Sequence, residues 1–209
     1  MDRADIVVAF ALAAEAAGAS GLRIQGVSYV AAVRAATKLP IIGLVKRDEP
    51  DTPVFITPRV RDVAELAEAG ADIVAFDATL RVRPDSVADL AAAAHRAGAL
   101  AMADCSVVSD AEAALAAGVD VVGTTMSGYT DGTVPEGPDL DLLRDCVALG
   151  APVFAEGRYN SPELAATAVR LGATAVVVGS AITRPEHITS WFLDAVRAAR
   201  PAPARKAAL

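Results

Sequence analysis

One pattern recurs along the chain and does most to limit what it can fold into. An Ala-rich amphipathic stretch ends in glycine, and an apolar, often β-branched run follows within a few residues. The glycines are Gly18, Gly70, Gly98, Gly118, Gly150 and Gly172. Each stands where a helix needs a left-handed residue just past its last turn, a conformation glycine adopts without a Cβ penalty. After them come Leu22-Arg23-Ile24, Ile73-Val74-Ala75-Phe76, Leu100-Ala101-Met102, Val121-Val122, Val153-Phe154 and Ala175-Val176-Val177-Val178. A seventh run, Ile41-Ile42-Gly43-Leu44-Val45, is introduced by Pro40. The runs are continuously apolar rather than alternating, as strands buried on both faces of a parallel sheet are. Strands alternating with helices through short connections give parallel βαβ units.

A doubly wound sheet usually carries a Gly-rich phosphate turn after its first strand, and no G-x-G-x-x-G occurs here. The expected fold is therefore α/β, a (β/α)8 TIM barrel. The pattern predicts helices near 4–17, 28–36, 60–69, 86–97, 109–117, 138–149, 161–171 and 186–199, but only seven strands. The chain opens in a helix, so the element expected to be missing is the first β-strand. A seven-stranded remainder would have two open edges. An upstream start is preferred over a chain that really is shortened; shifted strands or a homodimer are other ways to close the gap. One barrel domain is expected over 1–199, and 200–209, rich in Pro and Ala, reads as a disordered tail.

Composition narrows the function. The formal net charge is −7, so no basic face is available to displace counterions from a nucleic acid. Cys105 and Cys146 stand far apart with no partner motif, which suits a reducing compartment. No apolar run approaches the ~20 residues of a membrane span, and the start lacks the order of a signal peptide. A cytoplasmic protein acting on a small molecule is expected, with no nucleic-acid or membrane partner. No His/Cys/Asp cluster has metal-ligand spacing, and the sequence asks for no metal and no organic cofactor.

In such barrels the reacting groups sit at the C-terminal ends of strands and in the loops that follow. The polar residues fall there: Arg23 and Gln25; Lys46, Arg47 and Asp48; Asp77 and Thr79; Asp104 and Ser106; Thr124 and Thr125; Glu156 and Arg158; Gly179 and Ser180. The two longest connections, 47–59 and 126–137, emerge on the same face, and loops of that length are usually lids or binding loops. Lys46 closes a run of five apolar residues. It is either a lysine snorkelling out of the sheet or a partly desolvated amine serving as base or Schiff-base nucleophile. Glu156 is either paired with a barrel arginine or an acid–base group facing substrate. Asp77 and Asp104 are similarly placed and could be ion-paired. The Gly179-Ser180 step could cradle a phosphate on its backbone N–H groups, with Ser180 and Arg184 as further donors.

These segments resemble a known family. Gly43-Leu44-Val45-Lys46-Arg47-Asp48, Asp77-Ala78-Thr79-Leu80-Arg81-Val82-Arg83-Pro84, Met102-Ala103-Asp104-Cys105-Ser106, Gly123 to Thr130, Ala155-Glu156-Gly157-Arg158-Tyr159-Asn160 and Val178 to Arg184 are similar to those of bacterial N-acetylmannosamine-6-phosphate 2-epimerases. The motifs run in order from about Ile6 to Trp191, and Glu-Gly-Arg-Tyr-Asn together with Thr-Thr-x-Ser-Gly-Tyr-Thr is specific. The resemblance implies cofactor-independent epimerisation at C2 of an N-acetylhexosamine 6-phosphate, in sialic-acid and amino-sugar catabolism. It implies that Lys46 moves the C2 proton and that Glu156 supports the enolate or returns the proton. Arg23, Asp77, Asp104 and Arg158 would hold the sugar, and Gly157, Gly179, Ser180 and Arg184 the phosphate. Another phosphosugar isomerase or lyase, or a non-catalytic phosphosugar-binding protein, remain alternatives.

Overall fold

A computed structural model describes residues 2–130, 132 and 134–200. Among them, seven parallel strands alternate with nine helices. In chain order these are α1 (Ala4–Ala16), β1 (Leu22–Gln25), α2 (Val27–Ala36), β2 (Ile41–Leu44), α3 (Val60–Glu68), β3 (Ile73–Asp77), α4 (Val87–Arg96) and β4 (Leu100–Asp104). They continue as α5 (Val108–Ala116), β5 (Val121–Gly123), α6 (Leu140–Ala148), β6 (Val153–Glu156), α7 (Pro162–Arg170), β7 (Ala175–Val177), α8 (Ser180–Thr183) and α9 (Pro185–Ala198). The strands lie side by side in sequence order, each parallel to the next, and curl into a nearly closed TIM barrel. β1 and β7 form the edges of the sheet.

The helix stops read from the sequence hold: all six of those glycines carry positive φ, from 79° at Gly98 to 103° at Gly172. The eight expected helices are present, and a ninth, the single turn α8, precedes the last one. Four residues show no period, which is why the sequence pattern misses it.

The strands β2 to β5 are apolar over most of both faces because both faces are covered. Val74, Phe76, Ala101, Ala103, Val122, Val153 and Ala155 face outward and pack with helix residues such as Val63, Leu66, Leu90 and Leu143. The intervening residues Ile42, Leu44, Ile73, Ala75, Met102 and Val121 meet inside the barrel with Ile56 and Met126. Side chains alternate along a strand, so on each strand the next inward position beyond this apolar layer lies at the C-terminal mouth. That is where Lys46, Asp77, Asp104, Thr125 and Glu156 fall, with Arg23 on β1. Cys105, one residue past Asp104, is buried in the outer layer on the opposite side. The elements run from Ala4 to Ala198; residues 201–209, within the 200–209 stretch where a disordered tail was expected, lie outside the described residues.

Candidate active site

The mouth is organised around one arginine. Arg23 Nη2 donates to Asp104 Oδ2 at 2.6 Å, Nη1 lies 3.5 Å from the Met102 sulfur, and Nε lies 3.1 Å from Glu156 Oε2. The side chain is only 8% exposed and that of Asp104 is fully buried. The Thr125 hydroxyl donates to the other Asp104 oxygen at 2.7 Å. Asp104 is therefore satisfied on both sides. Glu156 is not: the Nε contact is an ion pair without hydrogen-bond alignment, and Oε2 has no hydrogen-bond partner. Gly123 makes the room. A Cβ there would stand 2.6 Å from the Met102 Cε and 3.2 Å from Asp104 Oδ1.

The electrostatics follow from two carboxylates sharing one guanidinium. Burial works against the charge on Arg23, but Asp104 and Glu156 outweigh it and its pKa rises. Burial pushes the Glu156 carboxyl up to about 7, against the pull of Arg23 and with the push of Asp104. The Thr125 hydroxyl and the Lys46 charge hold it down further. A carboxyl at that value is divided between acid and base near neutrality, as a group that both takes and returns protons should be.

Lys46 follows β2 at the same mouth, near enough for its charge to act on Glu156. The partly desolvated amine that the apolar run suggested is not what the structure shows: Lys46 is exposed, because β2 ends at Leu44 and the chain is leaving the sheet. Asp77, opposite Asp104 in the sheet register, is fully buried and committed to its own loop. It accepts from Thr79 N–H and hydroxyl, from Arg81 at 2.5 Å and from Arg83 at 3.2 Å. Arg158 is likewise occupied. Its φ is 62°, and its guanidinium donates to the carbonyls of Gly137 and Ser127, both at 2.7 Å, while lying 5.4 Å over the Tyr129 ring. It clasps the two ends of the 126–137 loop.

At the turn where phosphate binding was expected, the N–H groups of Ile182 and Thr183 close α8 onto the Gly179 carbonyl at 2.9 Å. The first N–H groups of a helix have no acceptor inside it, which leaves the Ser180 end suited to an anion. Gly157, with φ 108°, lies at the end of the neighbouring β6. Arg184 is exposed and paired with Glu186 at 2.8 Å. Gly123 is not a contributor that the sequence points to. Thr125 is, by its place at a strand end, but not as the partner of Asp104. Among the described residues, no group of three or more His, Cys, Asp or Glu side chains is placed to hold a metal ion. No helix there is long and apolar enough to cross a membrane.

Fold and site define a parallel (β/α) barrel with an arginine–carboxylate cluster at the C-terminal ends of its strands. Residues 7–198 match the NanE family, described as "Putative N-acetylmannosamine-6-phosphate epimerase", and the chain belongs to that family. It is 60% identical over 199 residues to the "Bifunctional enzyme NanE/NanK" of Brucella melitensis, covering 95% of this chain and 38% of that protein. It thus spans well under half the length of the bifunctional relative. It is 56% identical over 197 residues to the "Putative N-acetylmannosamine-6-phosphate 2-epimerase" of Yersinia pestis, covering 94% and 84% of the two chains. Among solved structures, the N-acetylmannosamine-6-phosphate 2-epimerase from Clostridium perfringens superposes with a TM-score of 0.90 at 41% identity, covering 93% of this chain and 86% of that one.

Proposed function

We propose that this chain interconverts N-acetylmannosamine 6-phosphate and N-acetylglucosamine 6-phosphate, an isomerase step of sialic-acid and amino-sugar catabolism, by moving the C2 proton. The observation that carries the reading is Glu156: a carboxyl with 18% of its side chain exposed, an oxygen without a hydrogen-bond partner and a pKa of about 7, facing the same mouth as Lys46. In the open-chain sugar the C2 hydrogen is α to the C1 aldehyde, so removing it gives an enolate and needs only acid–base groups. Lys46 takes the proton from C2. Glu156, protonated or ionised at similar cost, stabilises the enolate oxygen or returns the proton to the opposite face. Arg23 and Asp104, locked to each other, present a fixed cation and a fixed acceptor edge to the sugar oxygens. The turn at Gly179 and Ser180, with Gly157 and Arg184, takes the phosphate. Asp77 and Arg158 act through the loops they hold, a smaller part than direct sugar contact.

Turnover in D2O tests this. The wild-type chain should place deuterium at C2 of the phosphosugar, read by NMR. Lys46→Ala should lose exchange and epimerisation together, by the ~10²–10⁴-fold that a general acid–base group contributes. An unchanged rate in that variant would remove Lys46 from the mechanism. Binding of the phosphosugar with no exchange in the wild type would remove the reaction itself.

A further inference from the structure

The connection after β2 does more than return the chain to α3. β2 and β3 are paired only at Ile42↔Ile73 and Gly43↔Val74. Beyond that point the loop comes back and inserts its own backbone between them. Lys46 pairs with Ile56 in an antiparallel bridge. Arg47 N–H donates to the Phe55 carbonyl at 2.8 Å, Thr57 N–H to Val45 at 2.9 Å, and Asp77 N–H to Ile56 at 3.0 Å. Residues 55–57 thus form a wedge, bonded on one side to the segment carrying Lys46 and on the other to β3.

Thr57 is the pivot of the wedge. It is fully buried, with φ at 43°. A β-branched residue in the left-handed region is a true outlier, and Pro58 behind it narrows its choices further. Glycine or asparagine would hold that backbone with less strain, but neither brings a hydroxyl. The Thr57 hydroxyl accepts from the Val45 N–H at 3.2 Å and donates to the Ala75 carbonyl at 2.7 Å. One oxygen therefore spans the split between the two strands, one residue before the lysine. Strained residues of this kind persist where the surroundings over-determine them, and they cluster at functional sites.

We propose that Thr57 is a positioning residue for Lys46. Its hydroxyl and its left-handed backbone hold Val45–Arg47 apart from β3 and fix the point at which the lysine amine enters the barrel mouth. The proposal rests on the proton-transfer role given to Lys46 above. Arg47 steadies the same segment from outside, donating to the buried Asp62 of α3 at 2.7 Å.

The test compares the wild type with Thr57→Ser, Thr57→Val and Thr57→Gly. It reads kcat, KM, the melting midpoint and the ¹³C-methyl resonance of reductively methylated Lys46. The chain has three lysines, Lys38, Lys46 and Lys206, and Lys46→Arg assigns the signal. Thr57→Ser keeps the hydroxyl and should retain kcat and the resonance. Thr57→Val and Thr57→Gly should lose roughly 10–100-fold in kcat, the scale of a small misplacement of a reacting group, with KM little changed. The Lys46 resonance should move in both while those of Lys38 and Lys206 stay. Because glycine also relieves the strain, loss of kcat without loss of melting midpoint in Thr57→Gly separates positioning from stability. A folded Thr57→Gly with wild-type kcat and an unmoved Lys46 resonance overturns the proposal. So does failure of both Val and Gly variants to fold, which would make Thr57 a folding determinant. If the wild type shows no epimerase activity, the reading of function fails, and the resonance comparison still decides the positioning.

Discussion

At the level of single residues, the mouth has one guanidinium for two carboxylates, and Glu156 carries the imbalance. Its folded-state pKa of about 7 stands above the ordinary 4.5, so the folded chain holds this proton more tightly than the unfolded chain. The stability it contributes is complete below pH 4.5 and lost as pH rises through about 7. Glu156→Gln keeps the shape and fixes the group neutral. Its stability relative to wild type, from urea midpoints, should therefore rise between pH 4.5 and about 7 and level off above it, while kcat falls. Parallel stability curves for the two proteins across that window would show that Glu156 titrates normally. Asp104 is more deeply buried, and Arg23 and Thr125 donate to its two oxygens.

Among the elements, β2 shows how closely helices approach the sheet. Gly43 faces outward, and a Cβ there would stand 2.8 Å from the Ala71 Cβ, 3.3 Å from Leu66 Cδ2 and 3.4 Å from Val30 Cγ2. The Ala71 methyl cannot rotate away. Gly43→Ala should therefore cost about 1–3 kcal/mol, the usual penalty of overpacking, with kcat retained because the residue points away from the mouth; an unchanged urea midpoint would refute the crowding. Elements were the most legible level of this molecule. Glycine stops and apolar runs placed eight helices and seven strands, because both signals are local. What stayed hidden was the division of each strand into barrel-inward and helix-facing residues: with both faces apolar, Phe76 and Ala75 look alike in sequence. The wedge at 55–57 was hidden too, since Phe-Ile-Thr-Pro reads as loop, and its role depends on strands distant in the chain. For the site, strand-end position named Arg23, Lys46, Asp104 and Glu156. Which of them pair, and that Arg158 turns back onto a loop, depends on geometry that no spacing encodes.

Across the whole molecule, packing is uneven around the barrel. β3 and β5 are buried at every residue, and β4 at all but its first. β7 is only partly buried throughout, and α9 has no buried residue, leaving Phe192 72% and Val196 53% exposed. Local opening follows such differences. Amide exchange should be slowest in β3–β5 and faster by orders of magnitude in β7, α8 and α9; equal protection around the barrel, read by mass spectrometry, would contradict this. The same unevenness gives Arg23 a second office. With β1 and β7 at the two margins of the sheet, its girth is not fixed by a closed ring of backbone bonds on that side. A side chain rooted in β1 and fastened to β4 and β6 acts there as a tie-rod. One of its two fastenings, to Glu156, is an ion pair only while that carboxyl is ionised, and burial lifts its pKa to about 7, so the lateral hold on β6 slackens where acidity neutralises it.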